Sequence, residues 1–446
     1  MTRPDHPTPP QLKRTLGYWD LLAYGLAYIA PIAPLSTLGF VWDASAGLIV
    51  LAYLLGALCM YFTARSYATM TEASPHAGSV YSFARLGLGR FAGFVAGWMI
   101  LLDYLLIPAL LYVLASVAMG TLLPQVDRSV WIMLTSGATL AINWFGIRVT
   151  TRANFAFLGL QAVMLIAFLA LAIVALYDGK GNGALTLRPV FDAASFDAGK
   201  IFTATSICVL SFLGFDAIST LSEEAKDPSG RTVGRAILGA LAISGAIFVV
   251  QTWIVGNLMP GIQIKDAAAA AFELADWAVG AWFAVLMAWI IALVNGFSNP
   301  VPMQAGVSRV LFAMGRDRQL PSALARVHAK HGTPYVAMLA TSALSLVVAL
   351  AMRDKIDELA SIVNFGALLG FSLLHLSVLV HFGIRQKSRR VFRHWIVPVM
   401  GLIVVFAVLS GMSPFALLIG LGWLTVGAVY GTVLSGRHRD EIRAVL

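Results

Sequence analysis

Long apolar runs, each about the length of a membrane-spanning helix, recur along the whole sequence of 446 residues. A helix needs about 20 mainly apolar residues to cross a bilayer. Because 59% of the residues are hydrophobic and only 12% are charged, a soluble globule could not bury its apolar surface. The sequence therefore predicts an all-α integral membrane protein with about twelve transmembrane helices. The predicted spans are residues 17–40, 45–64, 91–123, 130–147, 154–177, 201–222, 236–259, 279–308, 334–352, 360–382, 396–412 and 414–435.

Lysine and arginine are distributed unevenly between the two sides of this arrangement. If the N-terminus is cytoplasmic, 24 of the 31 Lys and Arg residues fall on the cytoplasmic side and 7 on the other. Cytoplasmic loops of membrane proteins are enriched in these residues. We therefore expect cytoplasmic tails at 1–14, which is Pro-rich and disordered, and at 436–446, in a plasma membrane of the bacterial inner-membrane type. The net charge of +9 is then a topology signal and does not indicate nucleic-acid binding.

Motifs of nucleotide, metal and hydrolase chemistry are absent from the sequence. It contains no Gly-x-x-x-x-Gly-Lys motif, no His-Glu-x-x-His and no nucleophile elbow, and both of its cysteines lie in apolar runs. A channel would be favoured by repeated pore loops or rings of charge, and a membrane enzyme by clustered metal-binding acids. Neither pattern occurs. We therefore expect a secondary active transporter with no cofactor and no metal site.

Two predicted spans contain helix-breaking residues near their middle. In span 1, Pro31 and Pro34 remove backbone donors and crowd the preceding turn, so the backbone of residues 25–30 is expected to be unwound. Span 6 carries Gly214 followed by Asp216. Interrupted helices at corresponding positions of two halves are typical of inverted-repeat transporters with a binding site near the bilayer midplane.

An acidic residue is predicted near the centre of the bilayer in span 3. Asp103 follows Arg90 by thirteen residues, which is about 20 Å along a helix. An ionised Asp at that depth costs about 2.5–3.5 kcal/mol on insertion scales, so it should face a polar cavity or a partner. With Tyr104 beside it, Asp103 suits an ammonium group, because the carboxylate offers charge and the ring a cation-binding face. A structural hydrogen bond to another helix is the alternative.

Polar residues elsewhere are candidates for ion binding and gating. Asn295, Ser298 and Asn299 interrupt the uncharged span 8 and could line the site, ligate sodium or hold helices together. Sodium needs several oxygen ligands, so we favour the proton, carried by Asp216, as the coupling ion. Nearer the cytoplasmic face, gating residues, proton relays or simple ion-pair partners are expected. The candidates there are Glu72, His76, Glu223 and Glu224.

Three stretches of the chain resemble the amino acid–polyamine–organocation permeases. They are Thr-Glu-Ala-Ser-Pro-His-Ala-Gly-Ser-Val-Tyr at 71–81, Phe-Leu-Gly-Phe-Asp at 212–216 with Glu-Glu-Ala-Lys-Asp-Pro at 223–228, and segments at 308–321 and 333–335. The resemblance implies a LeuT-like fold, a five-plus-five inverted repeat with two extra C-terminal helices. It places the first repeat at 15–177, an extracytoplasmic loop at 178–200, the second repeat at 201–384 and the extra helices at 385–435.

Within that family, span 1 is most similar to the putrescine-importer branch. Amino-acid members carry Gly-x-Gly there, whose bared amides bind the substrate carboxylate, whereas this chain has Gly25 but Ala27. The resemblance implies proton-coupled import of putrescine or a related polyamine. An amino acid permease or exchanger, possibly sodium-coupled, is the alternative. The predicted substrate-binding residues are Gly25, Ala27, Tyr28, Asp103, Tyr104, Phe212, Gly214, Phe215, Asp216, Asn295 and Ser298, and the predicted coupling or gating residues are Asp216, Glu72, His76 and Glu223.

Overall fold

The computed structural model describes residues 14–74, 80–145, 151–316, 320–328 and 332–445, and these residues form helices and no strands. Within them, nine helices are long and apolar enough to cross a membrane, and a helix pair bent by 60° makes a tenth. Two shorter helices, Arg128–Trp144 and Tyr335–Ala351, coincide with the fourth and ninth predicted spans. All twelve predicted runs therefore coincide with helix, and we keep their numbering as spans 1 to 12.

The bounds of the spans differ from the prediction by a few residues at most ends. Two further helices lie between spans, Val80–Leu88 after span 2 and Ala270–Ala278 before span 8. The last helix continues through residues 436–445. The ten remaining spans are Tyr18–Ser36 with Leu38–Ala44, Ile49–Ala73, Arg90–Leu122, Thr151–Tyr177, Ala198–Leu221, Arg231–Leu258, Ala281–Arg316, Ile356–Arg385, Phe392–Ser410 and Pro414–Val445.

Span 3 lies at the centre of the bundle. In its most apolar window 89% of the residues are buried, compared with 28% in span 5 and 22% in span 12. A side chain on Gly366 of span 10 would overlap the backbone of Met99, so glycine allows spans 3 and 10 to approach closely there. Spans 3 and 12 are joined by Trp98 and Trp423, whose rings stack at 4.6 Å and whose indole N–H groups each donate to the other's backbone carbonyl. Span 3 is thereby held on two sides.

A buried histidine connects span 2 to span 10. Nδ1 of His375 lies 2.8 Å from the hydroxyl of Ser66, and Nε2 lies 3.3 Å from that of Thr63. Gly401 of span 11 leaves room for the imidazole ring. Both ring nitrogens are therefore used within the helix packing, as buried polar groups require.

Candidate functional site

The break in span 1 lies at Ala30–Ile32, slightly beyond the predicted position. The first helical segment runs from Tyr18 to Ile29, and Ala30 has a positive φ of 60°. Gly25 and Ala27 are therefore helical, and the expectation of unwound backbone at residues 25–30 is wrong for most of that stretch. The physical reason is that a proline disrupts the preceding turn when it lies inside the helix, where its ring clashes with the carbonyl four residues earlier, whereas here the helix ends at Ile29, before Pro31. The side-chain amide of Gln251 on span 7 donates to the carbonyl of Pro31 at 3.1 Å.

The break in span 6 lies at Leu213 and Gly214, as predicted. An α-helix ends at Cys208, a 3₁₀ turn follows to Phe212, and a second 3₁₀ segment runs from Phe215 to Leu221. Gly214 has φ of 116°, a conformation that favours glycine. A Cβ atom placed there would lie 2.9 Å from a ring carbon of Tyr28, so the span 6 break contacts the last turn of the helix that precedes the span 1 break.

Two buried carboxyl groups lie near these breaks. Asp216 begins the second half of span 6 and accepts hydrogen bonds from the Gly214 amide at 3.3 Å and from the Tyr104 hydroxyl at 3.2 Å. Asp103 is only 3% exposed, and its Oδ1 atom has no hydrogen-bond partner within the described residues. The structure thus brings together Tyr104 and Asp216, and it leaves one oxygen of Asp103 unsatisfied.

Two small cavities flank the contact between spans 1 and 8. The first, of about 30 Å³, is lined by Tyr24, Ala27, Tyr28, Gln161, Ser298, Asn299, Pro302 and Met303. The second, of about 70 Å³, extends along the later half of span 1 and includes Asn295. Tyr28, Asn299 and Met303 line both cavities and separate them. Both cavities are well below the roughly 300–1,000 Å³ that is usual for ligand pockets.

Several predicted site residues lie outside both cavities and serve helix packing. A side chain on Gly25 would overlap Ile218, so this glycine allows spans 1 and 6 to approach. The ring of Phe212 packs at 5.0 Å from Phe248 of span 7, and the ring of Phe215 packs against Tyr67 and Phe371. Asp103, Tyr104 and Asp216 do not line either cavity. Of the predicted substrate-binding residues, Ala27, Tyr28, Asn295 and Ser298 do.

Sequence reasoning missed two buried glutamines. Gln161 is 1% exposed, lines the smaller cavity, and its Oε1 atom has no partner within the described residues. It is the single strongly polar side chain within Phe155–Tyr177, the apolar part of span 5, which is the signal that could have identified it. Gln251 bonds to the freed carbonyl of Pro31, as described above, and its own Oε1 atom is likewise unpartnered. Span 8 adds a π-helical turn at Val294–Ser298, a feature often found at functional sites.

The candidates predicted to lie near the cytoplasmic face have different surroundings. Glu72 pairs with Arg393 of span 11 at 2.9 Å. Glu223 is half-buried in the segment after span 6, where Leu16 and Ala225 form an isolated backbone bridge. His76 lies outside the described residues. The partnership of Glu72 with an arginine matches the alternative of an ordinary ion pair, and it links span 2 to a helix beyond the ten predicted repeat spans.

Comparison with known proteins places the chain in a family. The sequence profile of the amino acid permease family matches residues 21–431. The chain is 30% identical to the low-affinity putrescine importer PlaP of Escherichia coli strain K12, over 97% of this chain and 96% of the relative. It is 29% identical to the branched-chain amino acid permease BcaP of Bacillus subtilis, over 93% of this chain and 90% of the relative. It is 24% identical to the methylthioribose transporter of the same organism, over 96% of this chain and 94% of the relative. The chain therefore belongs to the amino acid permease family of the amino acid–polyamine–organocation transporters, and it is a multi-pass membrane transporter and not an enzyme.

Proposed function

We propose that the protein is a secondary active transporter that imports a small cationic amine, putrescine or a related polyamine, by proton-coupled alternating access. The observation that carries this proposal is the buried Oδ1 atom of Asp103, which has no partner in the described part of the chain. A carboxylate taken out of water without a partner costs several kcal/mol. The ammonium group of a substrate would supply both the charge and the hydrogen bond that this oxygen lacks.

The backbone at both breaks offers few donors for a substrate carboxylate. The amide of Gly214 already donates to Asp216, and the amide of Ala30 donates to Leu26. Pro31 has no N–H group. A diamine has no carboxylate to satisfy, so these surroundings suit it better than they suit an amino acid. That PlaP of Escherichia coli is a putrescine importer supports the same substrate class.

An amino acid permease is the second candidate, favoured by one specific observation. The side-chain nitrogen of Asn295 is buried and has no partner within the described residues, and this residue lines the larger cavity. An amide N–H directed into a cavity could bind a carboxylate. The 29% identity to BcaP, a branched-chain amino acid permease, is consistent with this alternative.

Alternating access would proceed around the contact of the two breaks. In the proposed cycle, Tyr28, Asn299 and Met303 separate the two cavities, and binding of the substrate ammonium group to Asp103, which lies outside both cavities in this conformation, opens one cavity as the other closes. Asp216, hydrogen-bonded to Tyr104, would take up and release the proton. We propose the cytoplasmic face for both termini, on the evidence of the Lys and Arg distribution.

Competition for uptake tests the substrate class. Cells that express the protein should accumulate labelled putrescine above a matched strain with an empty vector. Unlabelled putrescine should compete better than glycine, alanine or leucine. Strong competition by leucine with none by putrescine would exclude the polyamine assignment and favour the amino acid permease.

A further inference from the structure

The segment that joins spans 10 and 11 carries an unusual concentration of positive charge. Residues 385–393 contain five Lys and Arg side chains, whereas residues 359–439 contain no Asp or Glu at all. The excess cannot be neutralised within this part of the chain. Any nearby compensation has to come from other helices or from outside the protein.

Only part of this charge is used inside the protein. Arg393 is directed at span 2, where it bonds to Glu72 and Thr69, and Arg385 donates to the carbonyl of Leu86. Lys387, Arg389 and Arg390 are exposed and form no ion pair within the described residues. These three cations are therefore exposed, and no counter-charge lies against them in the described part of the chain.

The loop that presents the three cations is itself ordered by internal contacts. The backbone amide of Ser388 donates to Phe382, and its hydroxyl lies 2.7 Å from Nδ1 of His394. The rings of Phe382 and His394 stack with centroids 4.4 Å apart. Lys387 has a positive φ of 48°, which fixes the turn. The spacing of the cations is thus set by the fold.

Apolar side chains flank these cations on the outer surface. Ile384 and Phe392 are 59% and 57% exposed, and Trp395 is 39% exposed. Exposed aromatic and aliphatic groups beside Lys and Arg are typical of the membrane–water interface, where rings lie at headgroup depth and cations reach phosphates. Anionic leaflet lipids attract such basic segments electrostatically.

We propose that residues 384–396 bind the headgroups of anionic phospholipids, with Lys387, Arg389 and Arg390 contacting phosphate oxygens and Phe392 and Trp395 lying among the upper acyl chains. This interaction is distinct from the proposed transport function and does not depend on it. The same charges act as a topology signal, but that role alone predicts no preference of the folded protein for one lipid over another.

Lipid titration of the purified full-length protein in neutral detergent tests the proposal, because both faces are accessible there and topology has no effect. Native mass spectrometry should show phosphatidylglycerol bound in preference to phosphatidylcholine of the same acyl chains. Lys387→Gln/Arg389→Gln/Arg390→Gln should weaken phosphatidylglycerol binding at least tenfold. The matched control removes three exposed cations predicted on the opposite side, Arg188→Gln/Lys200→Gln/Lys265→Gln, and should stay within twofold of wild type. Equal weakening in both variants, or in neither, would overturn the site.

A measurement on the unmodified protein keeps the proposal testable if the triple variant does not fold. Phosphate contacts of exposed cations are screened as ionic strength rises. The preference for phosphatidylglycerol should therefore decline between low and high salt. A preference that is absent, or that is unaffected by salt, contradicts the proposal.

Discussion

The hydroxyl group of Tyr104 on span 3 donates a hydrogen bond to the carboxylate of Asp216 on span 6, at 3.2 Å. This bond joins two helices whose residues are 112 positions apart in the chain. Asp103 precedes Tyr104 on the same helix, and its Oδ1 atom has no hydrogen-bond partner among the residues that the structure describes. The bond thus connects the helix that carries Asp103 to the carboxyl group of Asp216, and we propose that substrate and proton are coupled through it.

Replacing Asp216 should uncouple transport from the proton. In proteoliposomes without sodium, an inside-alkaline pH gradient should drive accumulation of the labelled amine by the wild-type protein. Asp216→Asn retains the shape of the side chain but cannot carry the proton, so accumulation should lose its pH dependence while exchange continues. Accumulation that requires sodium and ignores the pH gradient would contradict proton coupling and direct attention to Ser298 and Asn299.

Replacing Asp103 should remove the substrate anchor. Asp103→Asn keeps the volume and removes the charge, and we expect uptake to fall at least tenfold, equivalent to about 1.4 kcal/mol. Tyr104→Phe should cost less, because the ring remains and only the hydrogen bond to Asp216 is lost. Asp178→Asn, at an exposed acid after span 5, is the matched control and should transport normally. Near wild-type uptake by well-expressed Asp103→Asn would exclude the anchor role.

Adding a methyl group at Gly214 should disturb the contact between the two breaks. The positive φ of 116° is unfavourable for alanine, and its Cβ would meet the Tyr28 ring at 2.9 Å and the Tyr28 backbone at 3.2 Å. We expect Gly214→Ala to reduce uptake more than tenfold at equal expression. Gly306→Ala on span 8 is the control, since nothing lies within 4 Å of its added Cβ. If both variants transport equally, the contact of the breaks is not important for function.

The ion pair between Glu72 and Arg393 should contribute to stability as a unit. Its atoms are 2.9 Å apart, both side chains are partly shielded from solvent, and Arg393 also bonds to Thr69. We expect a coupling energy of about 1 kcal/mol, at the upper end for such pairs. In thermal unfolding, the double variant Glu72→Gln/Arg393→Gln should therefore be little worse than either single variant. Strictly additive shifts would show that the pair is energetically neutral.

Asp227, which lies just before span 7, should stabilise the protein without any pH dependence near neutrality. Hydrogen bonds from Ser229, and then from Thr232, favour the ionised form and lower the pKa of Asp227 to about 2. A lowered pKa in the folded state contributes stability that is complete above the ordinary pKa, about 3.9, and is lost as the pH falls toward 2. Asp227→Ala should therefore lower stability by about 1 kcal/mol, as for a helix cap. The deficit should be equal at pH 6 and pH 8 in thermal unfolding, and a deficit that changes over this range would refute the assignment.

The sequence by itself was sufficient to predict the membrane spans and to predict that spans 1 and 6 are broken. The length of an apolar run and the helix-breaking effect of proline or glycine depend only on residues close together in the chain, so they can be derived from the local sequence. Spacing along a helix was likewise enough to place Asp103 within the buried part of span 3. The division into two repeats, the orientation of the termini and the roles of the site residues stay predictions.

The tertiary structure alone decided which of these residues meet. The span 1 break lies at Ala30–Ile32, next to Pro31, and Gly25 in the helix before it packs against Ile218. Phe212 and Phe215 pack in the helix interfaces beside the span 6 break. Gln161 of span 5 lines the smaller cavity, and Gln251 of span 7 bonds to the span 1 break. Tyr104 meets Asp216 only because the fold brings the broken part of span 6 within hydrogen-bonding reach of span 3. Such contacts depend on how whole helices fit together, and the local chemistry of each helix does not specify its neighbours.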